Sequence, residues 1–98
     1  SANLDALSSR RINGIIDRLI ITETRILAVD FKTNAIVPDT PETCPVAILR
    51  QMGAYAAALA QTYPNHEIET AILWTRTATL MTLPHDVVVE ALNTTQIS

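Results

Sequence analysis

The stretch ILAVDFKTN, residues 26–34, constrains the fold more than any other part of the chain. It begins with four apolar residues, which predicts a buried β-strand. Because side chains alternate along a strand, Asp30 and Lys32 lie on the same face as Ile26 and Ala28. Such a strand needs an explanation, because Asp and Lys are rarely placed beside a core without a partner.

A second Ile-rich run, residues 11–22, precedes this strand. The polar break at 23–24 predicts a hairpin between strands at 11–22 and 25–33. If the turn is centred on that break, the residue numbers of each cross-strand pair add up to 47. Asp17 then faces Asp30, with Cβ atoms about 4.5–5.5 Å apart. A loop one residue longer or shorter would shift this pairing, and Glu-Thr is not a favoured two-residue turn.

Two facing carboxylates in a half-buried place repel each other, so something nearby must offset their charge. A shared proton is one solution, and a salt bridge to Arg18, Lys32 or Arg50 is another. A divalent cation is a third, since Mg²⁺ binds oxygen at about 2.0–2.1 Å and two neighbouring carboxylates can share one ion. With Lys32 beside the ion, the arrangement suits hydrolysis of a phosphodiester by a metal-activated water.

The remaining elements follow from apolar periodicity and from the prolines. They are a Pro-rich loop at 34–45, a helix at 46–62, strands at 68–75 and 78–83, and a short helix that begins at Pro84. The order ββαββα predicts an α/β (α+β) fold, a mixed sheet with helices packed on it.

Helical spacing places Gln51 and Tyr55 one turn apart on one helix face. If that face covers the hairpin, the amide can orient a water or a metal ligand, and the hydroxyl can contact a phosphate or a carboxylate. Each of these residues alone, like Asp17, Asp30 or Lys32 alone, is more often an ordinary polar position. The functional hypothesis therefore depends on their combination.

Composition narrows the possible functions. The net charge of −3 argues against strong nonspecific binding of nucleic acid, which needs excess Lys and Arg. A single cysteine, Cys44, allows no internal disulfide and is interpreted as a reduced cytoplasmic thiol. His66 and His85 lack the spacing of paired metal ligands and are interpreted as surface residues, and Trp74 as a packing residue. No stretch approaches the ~20 apolar residues of a membrane span.

The chain opens with Ser-Ala-Asn and without an initiating Met, as an excised piece of a larger protein would. We interpret residues 1–9 as a tag remnant with a flexible or helical N-terminus, and residues 10–98 as a partial domain.

Three motifs in order resemble a known family: GIIDRL at 14–19, AVDFKT at 28–33 and QMGAY at 51–55. They look like the nuclease motifs of the PD-(D/E)XK superfamily. More narrowly, they resemble RecB-type nucleases, and above all the C-terminal nuclease domain of AddA-type helicase–nuclease subunits. The segments LRQMGAYAAALAQTYP, ETAILWT and LMTLP continue the likeness, which covers roughly residues 10–88.

The resemblance implies a restriction-endonuclease-like fold and a role for each matching residue. Asp17 and Asp30 match metal ligands, and the backbone carbonyl of Phe31 matches a further one. Lys32 matches the catalytic lysine. The Q-x-x-x-Y motif, here Gln51 and Tyr55, supports the metal site and contacts substrate.

Two further points concern substrate and metal binding. Arg18, Thr33 and Arg50 are candidate substrate-binding residues. The family also places a His or an acidic residue on a helix before the first strand. Within residues 1–9 only Asp5 is acidic, so we expect that this helix is missing from the chain.

The implied function is that of an Mg²⁺- or Mn²⁺-dependent deoxyribonuclease of the exonuclease type, within an ATP-dependent helicase–nuclease that processes broken DNA ends. Its partners would be DNA, the helicase region of the same polypeptide, where ATP is used, and an AddB-like subunit, with no membrane. A homodimer of the isolated domain through an uncovered sheet is also conceivable.

Two alternatives stay open. A non-catalytic DNA-guiding or subunit-interaction module would keep the fold without the chemistry. A stand-alone exonuclease of the superfamily usually carries a Cys-ligated iron–sulfur cluster, which one cysteine cannot supply.

Overall fold

The computed structural model describes residues 15–97 and places four strands and two long helices in the predicted order ββαββα. The elements are β1 (Arg18–Ile21), β2 (Arg25–Lys32), α1 (Val46–Thr62), β3 (Glu67–Trp74), β4 (Thr79–Leu83) and α2 (His85–Ile97), with a 3₁₀ turn at Pro41–Thr43. Three strands differ from the predicted bounds by one residue at one or both ends. No helix within this part of the chain is long and apolar enough to cross a membrane.

The strands form one mixed sheet in the order β1-β2-β3-β4. The β1–β2 and β3–β4 pairs are antiparallel, whereas β2 and β3 are parallel. A parallel pair needs a long crossover connection, and the loop and α1 between β2 and β3 supply it. The carboxyl ends of β2 and β3 therefore meet at the same edge of the sheet.

The first strand is much shorter than predicted. We expected a strand over 11–22, but β1 covers only Arg18–Ile21, and residues 11–14 lie outside the described part of the chain. Ile15 is helical, and the chain bends at Ile16 and Asp17. The bend buries the Ile16 side chain in the core and leaves Ile15 exposed, so packing at this point overrides the strand preference of the Ile-rich run.

The hairpin has the predicted register. Arg18 pairs with Val29 and Ile21 with Ile26, so the residue numbers of each pair add up to 47. The Thr22 side chain explains how an unfavoured Glu-Thr sequence can form the turn. Its hydroxyl accepts a hydrogen bond from the Arg25 backbone N–H at 3.0 Å, while the Thr22 backbone N–H donates to the Arg25 carbonyl at 2.8 Å.

Helix α1 packs on one face of the sheet, against β3, and α2 packs on α1. The core contains sheet residues and helix residues from α1 and α2, among them Ile26, Ala28, Ile72, Trp74, Met52, Leu59 and Val88. The opposite face of the sheet carries apolar side chains that are each about half exposed, among them Ile20, Phe31 and Leu80. The helix-covered face is also the face that carries Asp30 and Lys32.

The two helices approach each other closely at Gly53. A Cβ atom added at Gly53 would collide with the Val88 carbonyl oxygen and lie 3.2 Å from Leu92 Cβ. Only a residue without a side chain allows this approach. Gly53 lies between Gln51 and Tyr55 on α1, so the close approach of α2 occurs in the same helical turn that carries these two residues.

Candidate active site

Asp17 and Asp30 meet where β1 begins and β2 nears its end. Asp30 is 5% exposed, and Asp17 lies at the exposed bend just before β1. Asp17 Oδ2 accepts a hydrogen bond of 2.8 Å from the backbone N–H of Phe31, the residue after Asp30. The hairpin register ends at the Arg18–Val29 pair, and the Asp17 carboxyl, in the bend before this pair, lies within hydrogen-bond reach of the Asp30 carboxyl.

The backbone of Phe31 faces Asp17. Lys32 directs its carbonyl toward β3, where it accepts from the Thr75 backbone N–H at 2.9 Å. Backbone polar groups alternate in direction along a strand, so those of Phe31 point to the β1 side. The bond from Phe31 N–H to Asp17 shows this direction. The N–H and C=O of one extended residue share a side, so the Phe31 carbonyl also points toward Asp17.

A chain of polar contacts joins the sheet to α1. Lys32 Nζ lies 2.8 Å from Asp30 Oδ2 and donates to Gln51 Oε1 at 3.0 Å. Gln51 Nε2 donates in turn to the Tyr55 hydroxyl at 2.9 Å. The ammonium group can only donate, so it fixes the amide orientation, with the oxygen toward Lys32 and the nitrogen toward Tyr55. The helix face that carries Gln51 and Tyr55 therefore reaches the carboxyl end of β2 through Gln51, whereas the helix contacts the sheet chiefly at β3.

Burial perturbs the acid groups of this site. Burial raises the pKa of Asp30 above the ordinary aspartate value, Lys32 acts in the opposite direction, and the neighbouring Asp17 carboxyl raises this pKa further. Burial also raises the pKa of the Tyr55 hydroxyl, and the negative charge of Asp30 adds to this rise. Negative charge is therefore unfavourable here, and a bound cation would relieve it.

The oxygen donors fit a small hard cation. Asp17 and Asp30 supply carboxylate oxygens and Phe31 a carbonyl oxygen, and Mg²⁺ commonly takes one or two carboxylates and keeps several waters. Within residues 15–97 no group of three or more His, Cys, Asp or Glu side chains could hold a metal ion. The fit therefore depends on two carboxylates and one main-chain oxygen.

The predicted substrate-binding residues do not cluster. Arg18 pairs with Val29, so its side chain lies on the sheet face opposite Asp30. Thr33 directly follows Lys32 at the end of β2. Arg50 is partly buried on α1, and its Nε atom is buried without a hydrogen-bond partner within the described residues. Neither arginine forms an ion pair with Asp17 or Asp30 in this part of the chain.

Arg76, which no sequence motif marks, lies at the same edge as Lys32. Its Nε donates to the Thr33 carbonyl at 3.4 Å. Thr75 also contacts this edge, because its hydroxyl donates to the Lys32 carbonyl at 3.2 Å. The signal was the run Thr-Arg-Thr after the third strand, but it becomes informative only when β3 is known to be parallel to β2.

The other singled-out residues lie apart from these polar contacts or have structural roles. Cys44 is a buried free thiol with Sγ 3.6 Å from Met81 Sδ, and burial together with the charge of Glu42 raises its pKa. Trp74 is fully buried, as predicted. His85 is exposed, whereas His66 is partly buried, with its Nε2 3.0 Å from the Thr22 carbonyl oxygen.

Comparison with known protein families identifies the chain. The family model of the PD-(D/E)XK nuclease superfamily matches residues 3–95. The chain therefore belongs to this superfamily, whose members are usually metal-dependent nucleases, and its four-stranded mixed sheet with two helices is consistent with the restriction-endonuclease-like fold. Searches of curated proteins and of solved structures find no significant match.

Proposed function

We propose that this chain is the nuclease domain of an AddA-type helicase–nuclease and that it hydrolyses DNA phosphodiesters with the help of Mg²⁺ or Mn²⁺. The observation that carries the proposal is the meeting of Asp17 and Asp30 across the hairpin, with Lys32 on the same face. The superfamily match supports nuclease chemistry. The narrower assignment is supported by the ordered motifs that end in QMGAY.

Asp17, Asp30 and the Phe31 carbonyl would hold the metal ion. When bound, the ion supplies an activated water and neutralises charge that develops on the phosphate. Lys32 is kept on the carboxylate side by Asp30 and by Gln51. Its ammonium group is positioned to orient the water or to stabilise negative charge in the transition state.

Gln51 and Tyr55 position the other groups of the site. The Gln51 amide bonds to both Lys32 and Tyr55, so it limits the directions that the ammonium group can take. Tyr55 places its hydroxyl beside this group, where it can contact a phosphate oxygen. Loss of such supporting contacts typically lowers activity or metal affinity 10–100-fold.

The proposed biological setting is the processing of double-strand-break ends before recombination. In that setting the helicase region of the same polypeptide uses ATP and delivers the strand, and an AddB-like subunit completes the assembly. A polypeptide of this type would show DNA-stimulated ATP hydrolysis that survives the loss of nuclease residues, which can be measured with the Asp30→Ala variant.

The test of nuclease function is metal titration combined with DNA cleavage. Mn²⁺ or Mg²⁺ is titrated by calorimetry into the chain, and into the larger polypeptide that we propose contains it, as wild type and as Asp30→Ala. Asp39→Ala is the matched control, since this acid is exposed in the loop after β2. We expect binding and cleavage in the wild type and the control and neither in Asp30→Ala.

Two results would contradict this proposal. If the larger wild-type polypeptide binds no metal and cuts no DNA, the chain keeps the fold without the chemistry and acts as a DNA-guiding or interaction module. If Asp30→Ala still cuts, the catalytic carboxylate lies elsewhere. Metal binding by the larger polypeptide but not by the chain would mean that a ligand outside the chain is essential.

A further inference from the structure

We propose that Arg76 binds a backbone phosphate of the DNA substrate next to Lys32, an inference that depends on the nuclease function proposed above. Arg76 lies in the four-residue turn between β3, which ends at Trp74, and β4, which begins at Thr79. No motif of the sequence marked it. Its role follows from what this turn contacts and from which cations of the domain are already neutralised.

Hydrogen bonds fix the turn to the strand that carries the candidate catalytic residues. The Thr75 backbone N–H and hydroxyl both donate to the Lys32 carbonyl, at 2.9 Å and 3.2 Å. Arg76 Nε donates to the next carbonyl, that of Thr33, at 3.4 Å. The guanidinium group is therefore located at the carboxyl end of β2, one residue beyond Lys32 along this strand.

Arg76 is also the cation best placed to meet a phosphate. Within residues 15–97, Arg25 pairs with two glutamates and Lys32 pairs with Asp30, whereas no carboxylate lies within ion-pair distance of Arg76. Arg18 lies on the opposite sheet face, and Arg50 is partly buried. A guanidinium has five N–H donors and Arg76 uses one, so the others can bind a phosphate bidentately.

The overall charge makes such a local contact important. The net charge of −3 argues against strong nonspecific attraction of the chain for DNA. A substrate phosphate beside the two carboxylates would be repelled unless a nearby cation compensates. Arg76 adds positive charge at the carboxyl end of β2 and, within residues 15–97, forms no ion pair with Asp17 or Asp30, so we expect it to bind substrate and to leave the chemical step unchanged.

The experiment compares Arg76→Ala with Arg25→Ala. Arg25 begins β2 and Lys32 ends it, so about 23 Å separates them at 3.3 Å per residue. Cleavage of end-labelled single-stranded DNA with Mn²⁺ is measured between 50 and 200 mM NaCl, on the larger polypeptide if the chain alone is inactive. DNA binding without added metal is measured by fluorescence anisotropy.

We expect Arg76→Ala to raise KM about tenfold at low salt with kcat unchanged, and to lower the salt slope of DNA binding by about 0.7, the value for one phosphate contact on a single strand. Arg76→Lys should recover part of the affinity, because it keeps the charge but loses the bidentate fork. Arg25→Ala should leave KM and the salt slope at wild-type values. Thermal unfolding checks that each variant is folded.

The outcomes separate this inference from the proposed function. If the wild type cuts DNA and Arg76→Ala has the wild-type KM and salt slope, the phosphate contact is wrong and the nuclease proposal stands. If Arg25→Ala has the same effect as Arg76→Ala, only the total charge matters, and the inference is equally overturned. If the wild type neither binds nor cuts DNA, the proposed function itself fails.

Discussion

Both ends of β2 carry ion pairs, and the difference between them separates solvated charges from buried ones. At the amino end, Arg25 bonds to Glu67 at 3.3 Å and to Glu69 at 3.4 Å, with side chains that are 63%, 66% and 42% exposed. At the carboxyl end, Lys32 lies 2.8 Å from Asp30, with side chains that are 23% and 7% exposed.

Solvent explains the contrast. Water solvates the charges of Arg25 and its partners whether or not they pair, so the pairs add little stability. Asp30 has lost most of its water, and burial raises its pKa although Lys32 lies beside it. The Lys32 ammonium therefore offsets part of the cost of burying the Asp30 carboxylate. Ionisable groups with perturbed pKa values of this kind are common at functional sites.

The largest expected effect is the loss of the Lys32 ammonium group. Lys32→Met keeps an unbranched side chain one atom shorter than that of lysine but leaves Asp30 buried without its cation. We expect the free energy of unfolding at neutral pH to fall by about 2–3 kcal/mol, somewhat less than for a fully buried pair, because Lys32 is partly exposed and Asp30 can take up a proton. Urea unfolding at pH 7 measures the change.

Arg25→Met is the matched substitution at the other end of the strand. It should lower the free energy of unfolding by less than about 1 kcal/mol. Equal losses in the two variants would show that the two ends do not differ in solvation, and the contrast between them would not hold.

At the carboxyl end of β2, the sequence predicts those features that depend only on residues near one another in the chain. The register that opposes Asp17 to Asp30 follows from the centre of one short turn, and the spacing of Gln51 and Tyr55 follows from the helical repeat. The contact from Gln51 to Lys32 does not follow from either, because it requires knowledge of how α1 lies across the sheet.

The features that local sequence patterns did not predict depend on contacts between distant parts of the chain. Arg76 reaches the Lys32 edge only because β3 runs parallel to β2, and no local pattern states that pairing. Arg18 lies beside Asp17 in the sequence, yet strand alternation turns it to the other face. The shortened β1 has a related cause, since the burial of Ile16 decides where the strand begins.

The close approach of α1 and α2 at Gly53 gives the next largest effect. Gly53→Ala would force the new Cβ against the Val88 carbonyl, so α1 and α2 would have to move apart. Overpacking typically costs about 1–3 kcal/mol, and the gain in helix propensity offsets up to about 1 kcal/mol. We expect a net loss of about 1–2 kcal/mol in thermal or urea unfolding.

Ala54→Leu provides the control for this substitution. Ala54 is exposed on the same helix, next to Gly53, so a larger side chain there should change stability by no more than about 0.5 kcal/mol. If Gly53→Ala is as stable as the wild type, the two helices adjust without cost, and the position of Gln51 over Lys32 does not depend on their close approach.

The smallest expected effect is a pH dependence that only the carboxyl end should show. Because the pKa of Asp30 is raised by folding, the folded state keeps the Asp30 proton to higher pH than the unfolded state. Stability therefore falls as pH rises from the ordinary aspartate value through the raised Asp30 value. Asp30→Asn does not titrate, so we expect its stability, relative to that of the wild type, to increase across that window.

Urea unfolding of both proteins in a chelating buffer measures this difference. Asp30→Asn also changes stability at every pH, so the slopes of the two stability curves, rather than their heights, report on the titration of Asp30. If the curves of stability against pH for the wild type and Asp30→Asn are parallel, Asp30 is as well solvated as the glutamates beside Arg25. A steeper fall in the wild type would identify the folding cost of keeping a carboxylate ready for a cation.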